Sequence, residues 1–193
     1  AYGLGSQKII ALLPGSRVGE IKDNLPIMVR AVANITDYQP VIAASPAIDT
    51  ELYHTLAPSI KFISNATFEL LAFARAAVVT SGTATLEAAL IGTPQIAVYR
   101  SVGSKIAYGI FERILKIDYV TLPNLIMNKE IIPELLMHHC TPQAIQSYLA
   151  PLLGDTPMRK RMIENYADMR SKLGTTDPAK ETATTIVNDL KHK

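Results

Sequence analysis

The chain has 193 residues, of which 48% are hydrophobic and 19% charged, a composition that suits one globular domain with a substantial core. The formal net charge is only +2 and the basic residues are scattered, which argues against a dedicated nucleic-acid-binding protein. A single cysteine, Cys140, excludes an internal disulfide and is typical of a reducing compartment. No apolar run approaches the roughly 20 residues of a membrane-spanning helix.

Short apolar runs alternate with helical patterns over the first half of the chain. Five runs predict buried strands, at 9–13, 41–44, 61–63, 76–80 and 96–99, and a sixth strand is expected near 119–122. Helical patterns cover 20–35, 50–56, 67–75 and 83–91. This alternation predicts an α/β fold, with a Rossmann-like parallel sheet flanked by helices. Because a strand begins within about ten residues and no Met precedes it, we expect a piece of a longer protein.

The pattern becomes entirely helical after about residue 140, and a helical tail is expected over 141–193. Thr141-Pro142 and Thr156-Pro157 each combine an N-cap residue with a proline suited to the first helical position. These pairs predict helices that end near 153 and 173, where Gly154 and Gly174 follow. Asp177-Pro178 predicts a third helix, to about residue 190.

Segment 104–117 predicts an amphipathic helix that carries Lys105, Arg113 and Lys116. A basic helix of this kind can rest on an anionic membrane surface. More often such a helix faces the protein core with one wet side, and both interpretations stay open.

Two glycine-containing turns follow predicted strands, and both would lie where ligands bind in a parallel sheet. They are Pro14-Gly15-Ser16-Arg17 and Ser81-Gly82-Thr83. A helix start presents free N–H groups and a positive dipole end, which suits a phosphate. Plain N-capping by serine and threonine explains the second turn equally well. The sequence therefore indicates a nucleotide or nucleotide-sugar site, with capping as the alternative.

Three further side chains are candidate ligand contacts, each with a simpler alternative. Arg17 suits a bidentate grip on a diphosphate, or is a solvated loop residue. Glu87, one turn into a helix, could accept hydrogen bonds from sugar hydroxyls or lie on a solvated face. Asn124, after Pro123, could present its amide to a base or phosphate, or belong to an ordinary turn.

Other kinds of site find little support. His138-His139-Cys140 has no second pair of ligands at a suitable spacing, so no metal is expected there. The chain lacks the P-loop pattern and has no GxGxxG after a strand. No Ser-His-Asp or Cys-His arrangement can be assembled. No cofactor is expected.

Five segments, in this order, resemble lipid-A-disaccharide synthase. They are Leu-Leu-Pro-Gly-Ser-Arg (12–17) with Glu20, Thr-Ser-Gly-Thr-Ala-Thr-Leu-Glu (80–87), Val-Tyr-Arg (98–100), Asp-Tyr-Val-Thr-Leu-Pro-Asn-Leu (118–125) and Pro-Glu-Leu-Leu (133–136). The resemblance covers nearly the whole chain and corresponds to the C-terminal half of that enzyme. The chain departs from the family pattern at Asn128-Lys129, where Gly-Arg is expected, and at Met137, where glutamine is usual.

The resemblance implies one half of a two-domain GT-B glycosyltransferase, with 1–193 as the nucleotide-sugar-binding domain. The family transfers diacylglucosamine from UDP-2,3-diacylglucosamine to 2,3-diacylglucosamine 1-phosphate with inversion, releases UDP and is not known to need a metal. Its general base belongs to the other half, so no catalytic residue is expected here. The residues implied in UDP binding are Ser16, Arg17, Ser81, Gly82, Thr83, Glu87 and Asn124. The chain alone is expected to bind UDP without turnover.

The resemblance also implies a peripheral protein on the cytoplasmic side of the bacterial inner membrane, with homodimers formed through the C-terminal helices. Two alternatives stay open. The first is a UDP-sugar 2-epimerase-like or other GT-B nucleotide-sugar domain, which shares the architecture. The second is a nucleotide-sensing module without enzymatic activity, which would bind UDP without any further domain.

Overall fold

The structure, a computed structural model, describes residues 4–100, 118–174, 182–184 and 186–188. Six strands form one parallel sheet in the order β3-β2-β1-β4-β5-β6. The predicted Rossmann-like α/β fold is confirmed. The strands are β1 (Lys8–Leu13), β2 (Tyr38–Ala44), β3 (Lys61–Ser64), β4 (Ala74–Thr80), β5 (Gln95–Tyr99) and β6 (Glu134–Leu136).

Helices connect the strands and follow the last one. They are α1 (Val18–Val32), α2 (Thr50–Leu56), α3 (Thr67–Phe73), α4 (Thr83–Ile91), α5 (Leu122–Met127), α6 (Pro142–Leu153) and α7 (Pro157–Leu173), with a short 3-10 helix at Met137–His139. The first four lie between consecutive strands, as the alternation of patterns predicts.

The sheet separates two apolar layers because successive strand side chains point to opposite faces. Ile10 and Leu12 of β1 pack into the larger layer, whereas Ala11 and Leu13 pack into the smaller one. The larger layer is covered chiefly by α1, α6 and α7, and the smaller one by α3 and part of α4. Burial on both faces explains why the central strands read as unbroken apolar runs.

The sixth strand does not lie at 119–122, so that prediction was wrong. Leu122 begins helix α5, whose first turn contains Pro123, and β6 forms instead at Glu134–Leu136. A four-residue apolar run cannot distinguish a strand from the start of a helix. The real strand is only three residues long and is defined by its pairing with Ala97–Tyr99 of β5, which the local sequence does not reveal.

The C-terminal helices begin and end where the sequence predicts. The hydroxyls of Thr141 and Thr156 accept hydrogen bonds from the N–H groups of Ala144 at 3.1 Å and Arg159 at 3.2 Å. Tyr38 donates to the carbonyl of Leu153 at 2.9 Å, which ties the end of α6 to the start of β2. Of the third predicted helix, 182–184 and 186–188 are helical, and the rest lies outside the described residues.

The predicted amphipathic helix at 104–117 also lies outside the described residues. Within the part of the chain that the structure describes, every helix is too short or too polar to cross a membrane.

Helix α7 contributes to the main core and is not an appendage, and a truncation of Tyr166 tests this. Tyr166 is fully buried, with its hydroxyl 3.4 Å from Nε2 of Gln95. We expect Tyr166→Ala to lower the free energy of unfolding by about 3–5 kcal/mol, as for other buried aromatic truncations. Tyr148→Ala on α6, where the side chain is 40% exposed, is the control and should cost only about 1 kcal/mol. Equal effects in chemical denaturation would contradict a packed α7.

Candidate functional site

The main cleft lies at the carboxyl ends of β1 to β4. The chain runs outward from β1 through β2 to β3, then returns to the other side of β1 for β4 and continues to β5 and β6. The loops that leave β1 and β4 therefore diverge and open a crevice, the usual ligand position in such sheets. The cleft has a volume of about 770 Å³, which is within the usual range for small-molecule sites.

The structure brings together six of the seven predicted site residues around this cleft. They are Ser16, Arg17, Ser81, Gly82, Thr83 and Glu87. The first two come from the loop between β1 and α1, and the others from the start of α4. The seventh, Asn124, does not line the cleft.

The start of α4 is open to a ligand. Gly82 is the N-cap, and no described side chain caps the first turn. The Ser81 N–H donates to the carbonyl of Val98 at 2.9 Å, and the Thr85 hydroxyl donates to the carbonyl of Gly82 at 2.7 Å. The Thr85 N–H donates to the same carbonyl at 3.2 Å, whereas the described residues offer no acceptor to the N–H groups of Gly82, Thr83 and Ala84, as is usual at a helix start. Of the two interpretations of this turn, the geometry therefore favours an anion site over plain capping.

The start of α1 is closed by its own carboxylate. Glu20 Oε2 accepts from the N–H groups of Ser16 at 3.1 Å and Arg17 at 3.4 Å. Its other oxygen, Oε1, accepts from Arg17 Nη1 at 3.0 Å. Two of the backbone donors that the sequence offers to a phosphate are therefore already used within the protein.

Two polar groups in the cleft wall have no hydrogen-bond partner among the described residues. The Thr80 hydroxyl, at the end of β4, is buried without a hydrogen bond. Glu87 is half-buried, and the described residues give it neither a hydrogen bond nor an ion pair. An unpaired carboxylate in a cleft is free to accept hydrogen bonds from a ligand.

The charges in the cleft are unbalanced. Among the described residues that line it, Arg17 is the one cation, and Glu20, Glu69 and Glu87 are anions. A bare polyphosphate would meet more repulsion than attraction from these side chains. A ligand that combines a phosphate with several hydroxyls suits the set better, since carboxylates accept hydrogen bonds from hydroxyls.

Sequence reasoning missed the wall of the cleft formed by the loops after β2 and β3. Ser45 and Pro46 come from the first of these loops, and Asn65, Phe68 and Glu69 follow β3. Phe68 leaves 59% of its surface exposed at the cleft, where aromatic side chains commonly line ligand sites. The signal was available, because every loop at the carboxyl edge of a parallel sheet borders the same crevice.

Asn124 has a structural position. It is fully buried, and Nδ2 donates to the carbonyl of Ile132 at 2.9 Å and to Glu134 Oε1 at 2.8 Å. Oδ1 accepts from the N–H groups of Ile131 at 2.7 Å and Ile132 at 3.0 Å. These four bonds use the whole capacity of an amide side chain. A contact with a base or phosphate would have to break one of them, so we leave Asn124 out of the proposed site.

Glu134 is the partner that holds the start of α5. Its carboxylate accepts from the N–H groups of Val120 at 3.0 Å and Thr121 at 2.9 Å, and from the Thr121 hydroxyl at 2.7 Å. Glu134 itself lies on β6. The segments 118–125 and 133–136 therefore form one interlocked unit.

The departures from the family pattern have structural settings. Asn128 ends α5 in the left-handed conformation at φ 50°, where asparagine is the common substitute for glycine. Lys129 donates to Asn165 Oδ1 at 2.8 Å, which ties this turn to α7. Met137 also has a positive φ of 52°, which is uncommon for a bulky residue, and nothing in the structure explains its choice.

The His138-His139-Cys140 segment adds no chemistry to the cleft. Cys140 is buried, and burial raises the pKa of its thiol although Arg100 lowers it in part. A thiol with a raised pKa is a poor nucleophile. Across the described ranges, no three His, Cys, Asp or Glu side chains lie close enough to hold a metal ion.

The family model for lipid-A-disaccharide synthetase matches residues 4–186. Lipid-A-disaccharide synthase of Syntrophus aciditrophicus is 35% identical over 191 residues, covering 94% of this chain and 49% of that protein. The crystal structure of CalG4, the calicheamicin glycosyltransferase, has a TM-score of 0.57 at 18% identity and covers 97% of this chain and 44% of that one. A structure titled as a putative UDP-N-acetylglucosamine 2-epimerase from Listeria monocytogenes has a TM-score of 0.55 at 14% identity, over 83% and 40% of the two chains.

The parallel sheet and its cleft have the architecture of one half of a GT-B glycosyltransferase. The similarity to solved structures supports this fold and does not identify the reaction. The family match is more specific, and the chain belongs to the lipid-A-disaccharide synthase family. It spans about half the length of the curated relatives it matches.

Asn124→Ala tests the structural role of this side chain. We expect the free energy of unfolding to fall by about 2–4 kcal/mol, because the buried N–H groups of Ile131 and Ile132 lose their acceptor. Asn34→Ala, at an exposed position after α1, is the matched control and should change it by no more than about 0.5 kcal/mol. Denaturant titration measures both. An unchanged stability for Asn124→Ala would remove the structural assignment.

Proposed function

We propose that this chain is the donor-binding domain of a lipid-A-disaccharide synthase. The donor is UDP-2,3-diacylglucosamine, the acceptor is 2,3-diacylglucosamine 1-phosphate, and the products are the lipid A disaccharide 1-phosphate and UDP. The observation that carries the proposal is the open start of α4 beside the unpaired Glu87. Both lie within the 80–87 segment, on the crevice where the strand order reverses.

Each side of the cleft has a separate role in this proposal. The N–H groups at the start of α4, with the hydroxyls of Ser81 and Thr83, bind the diphosphate. Arg17 approaches it from the opposite loop, with Ser16 beside it. Glu87 accepts hydrogen bonds from the ribose hydroxyls. The size of the cleft and its excess of carboxylates over cations support a ligand rich in hydroxyls.

The same groups would act on the reaction. Transfer breaks the bond between the sugar anomeric carbon and the diphosphate oxygen, and the acceptor oxygen adds from the opposite face with inversion. Negative charge grows on the departing UDP, and donors fixed in advance stabilise such charge. In this proposal the helix start and Arg17 provide that stabilisation without a metal. The general base and the acceptor site belong to the other half of the enzyme, so this chain binds UDP but does not turn over.

The setting of the enzyme belongs to the same proposal. Both proposed substrates are lipids, which supports an enzyme that acts as a peripheral membrane protein at the cytoplasmic face of the inner membrane. The expected membrane contact at 104–117 lies outside the described residues. Homodimer formation through the C-terminal helices stays a prediction.

A UDP-sugar 2-epimerase-like domain is the second candidate, and the likeness to the Listeria structure is the observation in its favour. At 14% identity that likeness concerns the fold alone. Relatives at 35% identity point to the transferase instead.

Calorimetric titration with UDP and 2′-deoxy-UDP tests the proposal. We expect saturable binding of UDP, and weaker binding of the deoxy compound because Glu87 loses one hydroxyl. Glu87→Gln should weaken UDP binding about 10- to 100-fold, the usual scale for a hydrogen bond to a charged acceptor, and should abolish the difference between the two nucleotides.

Glu164→Gln, on the exposed side of α7, is the control and should leave both affinities unchanged. The longer protein should also form the disaccharide from the two lipid substrates, whereas this chain alone should not. Failure of both the chain and the longer protein to bind UDP would contradict the proposal.

A further inference from the structure

The loop between β1 and α1 holds the Glu20 side chain tightly. Gly15 has a φ of 110°, and a Cβ built on it would lie 2.6 Å from Glu20 Oε2 and 2.8 Å from Glu20 Cβ. Any residue other than glycine would therefore displace the whole side chain and not only its flexible end. The Glu20 side chain is 22% exposed, whereas the side chain of its partner Arg17 is 83% exposed.

This contact decides what the loop can bind. The N–H groups of Ser16 and Arg17 both donate to Glu20, so a second anion would meet occupied donors and a negative charge. The loop is consequently no phosphate cradle of its own, although its sequence resembles one. Within the described cleft, the open donors lie at the start of α4.

Arg17 itself is only partly used. Its guanidinium has five N–H donors in a fixed plane, and the contact to Glu20 engages Nη1. The remaining edge can still bind a phosphate. A carboxylate on one edge of a guanidinium restricts its orientation, in the way that outer partners orient ligand-binding side chains elsewhere.

We infer that Glu20 is a positioning residue, which closes the β1–α1 loop to anions and holds Arg17 toward a diphosphate bound at the start of α4. This inference rests on the proposed function, because it takes a nucleoside diphosphate as the ligand. Glu20 makes no contact with the ligand and acts through Arg17.

The opposite possibility is that Glu20 competes with the ligand for Arg17 and must be expelled. The whole Glu20 side chain, from its Cβ to its carboxylate, lies close to Gly15. This packing would have to be broken to move the carboxylate away, which argues against expulsion. The two possibilities predict opposite changes in affinity when the charge of Glu20 is removed.

A double-mutant cycle on the 193-residue chain tests the inference, with UDP and UMP as ligands in calorimetry. Glu20→Gln keeps the shape of the side chain and one oxygen acceptor for the loop. We expect it to weaken UDP binding about tenfold and to change UMP binding less than about twofold, because UMP lacks the outer phosphate. Arg17→Ala should weaken UDP binding at least as much. The double variant should bind UDP no more weakly than Arg17→Ala alone.

Gly15→Ala gives a second route, since it displaces Glu20 without changing any charge. It should also weaken UDP binding in the wild-type background and have no effect in the Arg17→Ala background. Glu51→Gln, on the exposed start of α2, is the matched control and should bind UDP as the wild type does. Circular dichroism and thermal unfolding establish that each variant is folded.

Three results would overturn the inference while leaving the proposed function intact. Tighter UDP binding by Glu20→Gln would make Glu20 a competitor. Additive losses in the double variant would mean that Glu20 acts independently of Arg17. Equal losses for UDP and UMP would indicate a general structural effect. Absence of UDP binding by the wild-type chain and by the longer protein would instead remove the proposed function, and the inference with it.

Discussion

The parallel pairing of β1 with β4 is the contact on which the rest of the structure depends. Ile10 through Leu13 lie in register with Ala76 through Val79, and all eight residues are buried. After β3 the chain returns to the other side of β1 and forms β4, and from there it continues to β5 and β6. The loop after Leu13 leads toward β2, whereas the loop after Thr80 leads toward β5. The two loops therefore leave neighbouring strand ends in diverging directions. The cleft between them is a consequence of strand order and would exist whatever residues lined it.

The two helices that begin beside this strand pair differ in the residues of their first turns. Helix α1 carries Glu20 in its first turn, and that carboxylate occupies the donors of its own loop. Helix α4 begins at Gly82 with no acid in its first turn and no described side chain as a cap. Two turns that look alike in composition are therefore electrostatically unlike, since one has its own anion and the other has none. The proposed ligand is consistent with this difference, since one open helix start opposite one arginine suits one diphosphate group better than two separate phosphates.

Much of the fold was predictable, and the failures have physical causes. Five strands followed from apolar runs because both faces of the sheet are buried, and the starts of α6 and α7 followed from their Thr-Pro pairs. Strand β6 was missed because three residues carry no periodicity and its partner is distant in sequence. Six of the predicted site residues lie around one cleft because the carboxyl ends of parallel strands share one edge of the sheet. Asn124 lies in the core and away from the cleft, which could not be predicted because an amide after a proline gives no sign of whether it faces a ligand or the core. The closure of the first loop by Glu20 was not foreseen, since only geometry shows which donors a carboxylate reaches.

The resemblance to a family does not by itself separate residues that do chemistry from residues that hold the fold. Segments 12–17 and 80–87 border the cleft, whereas 118–125 and 133–136 join α5 to β6 through Asn124 and Glu134. Asn128 is a second example, at a position where the chain departs from the family pattern. It departs from the expected glycine, yet it keeps the left-handed backbone that a glycine would adopt there, so a change in residue type conserves a conformation. A match or mismatch in the second pair of segments therefore bears on stability. The proposed nucleotide binding depends on the first pair of segments, because the start of α4, Arg17 and Glu87 all border one cleft.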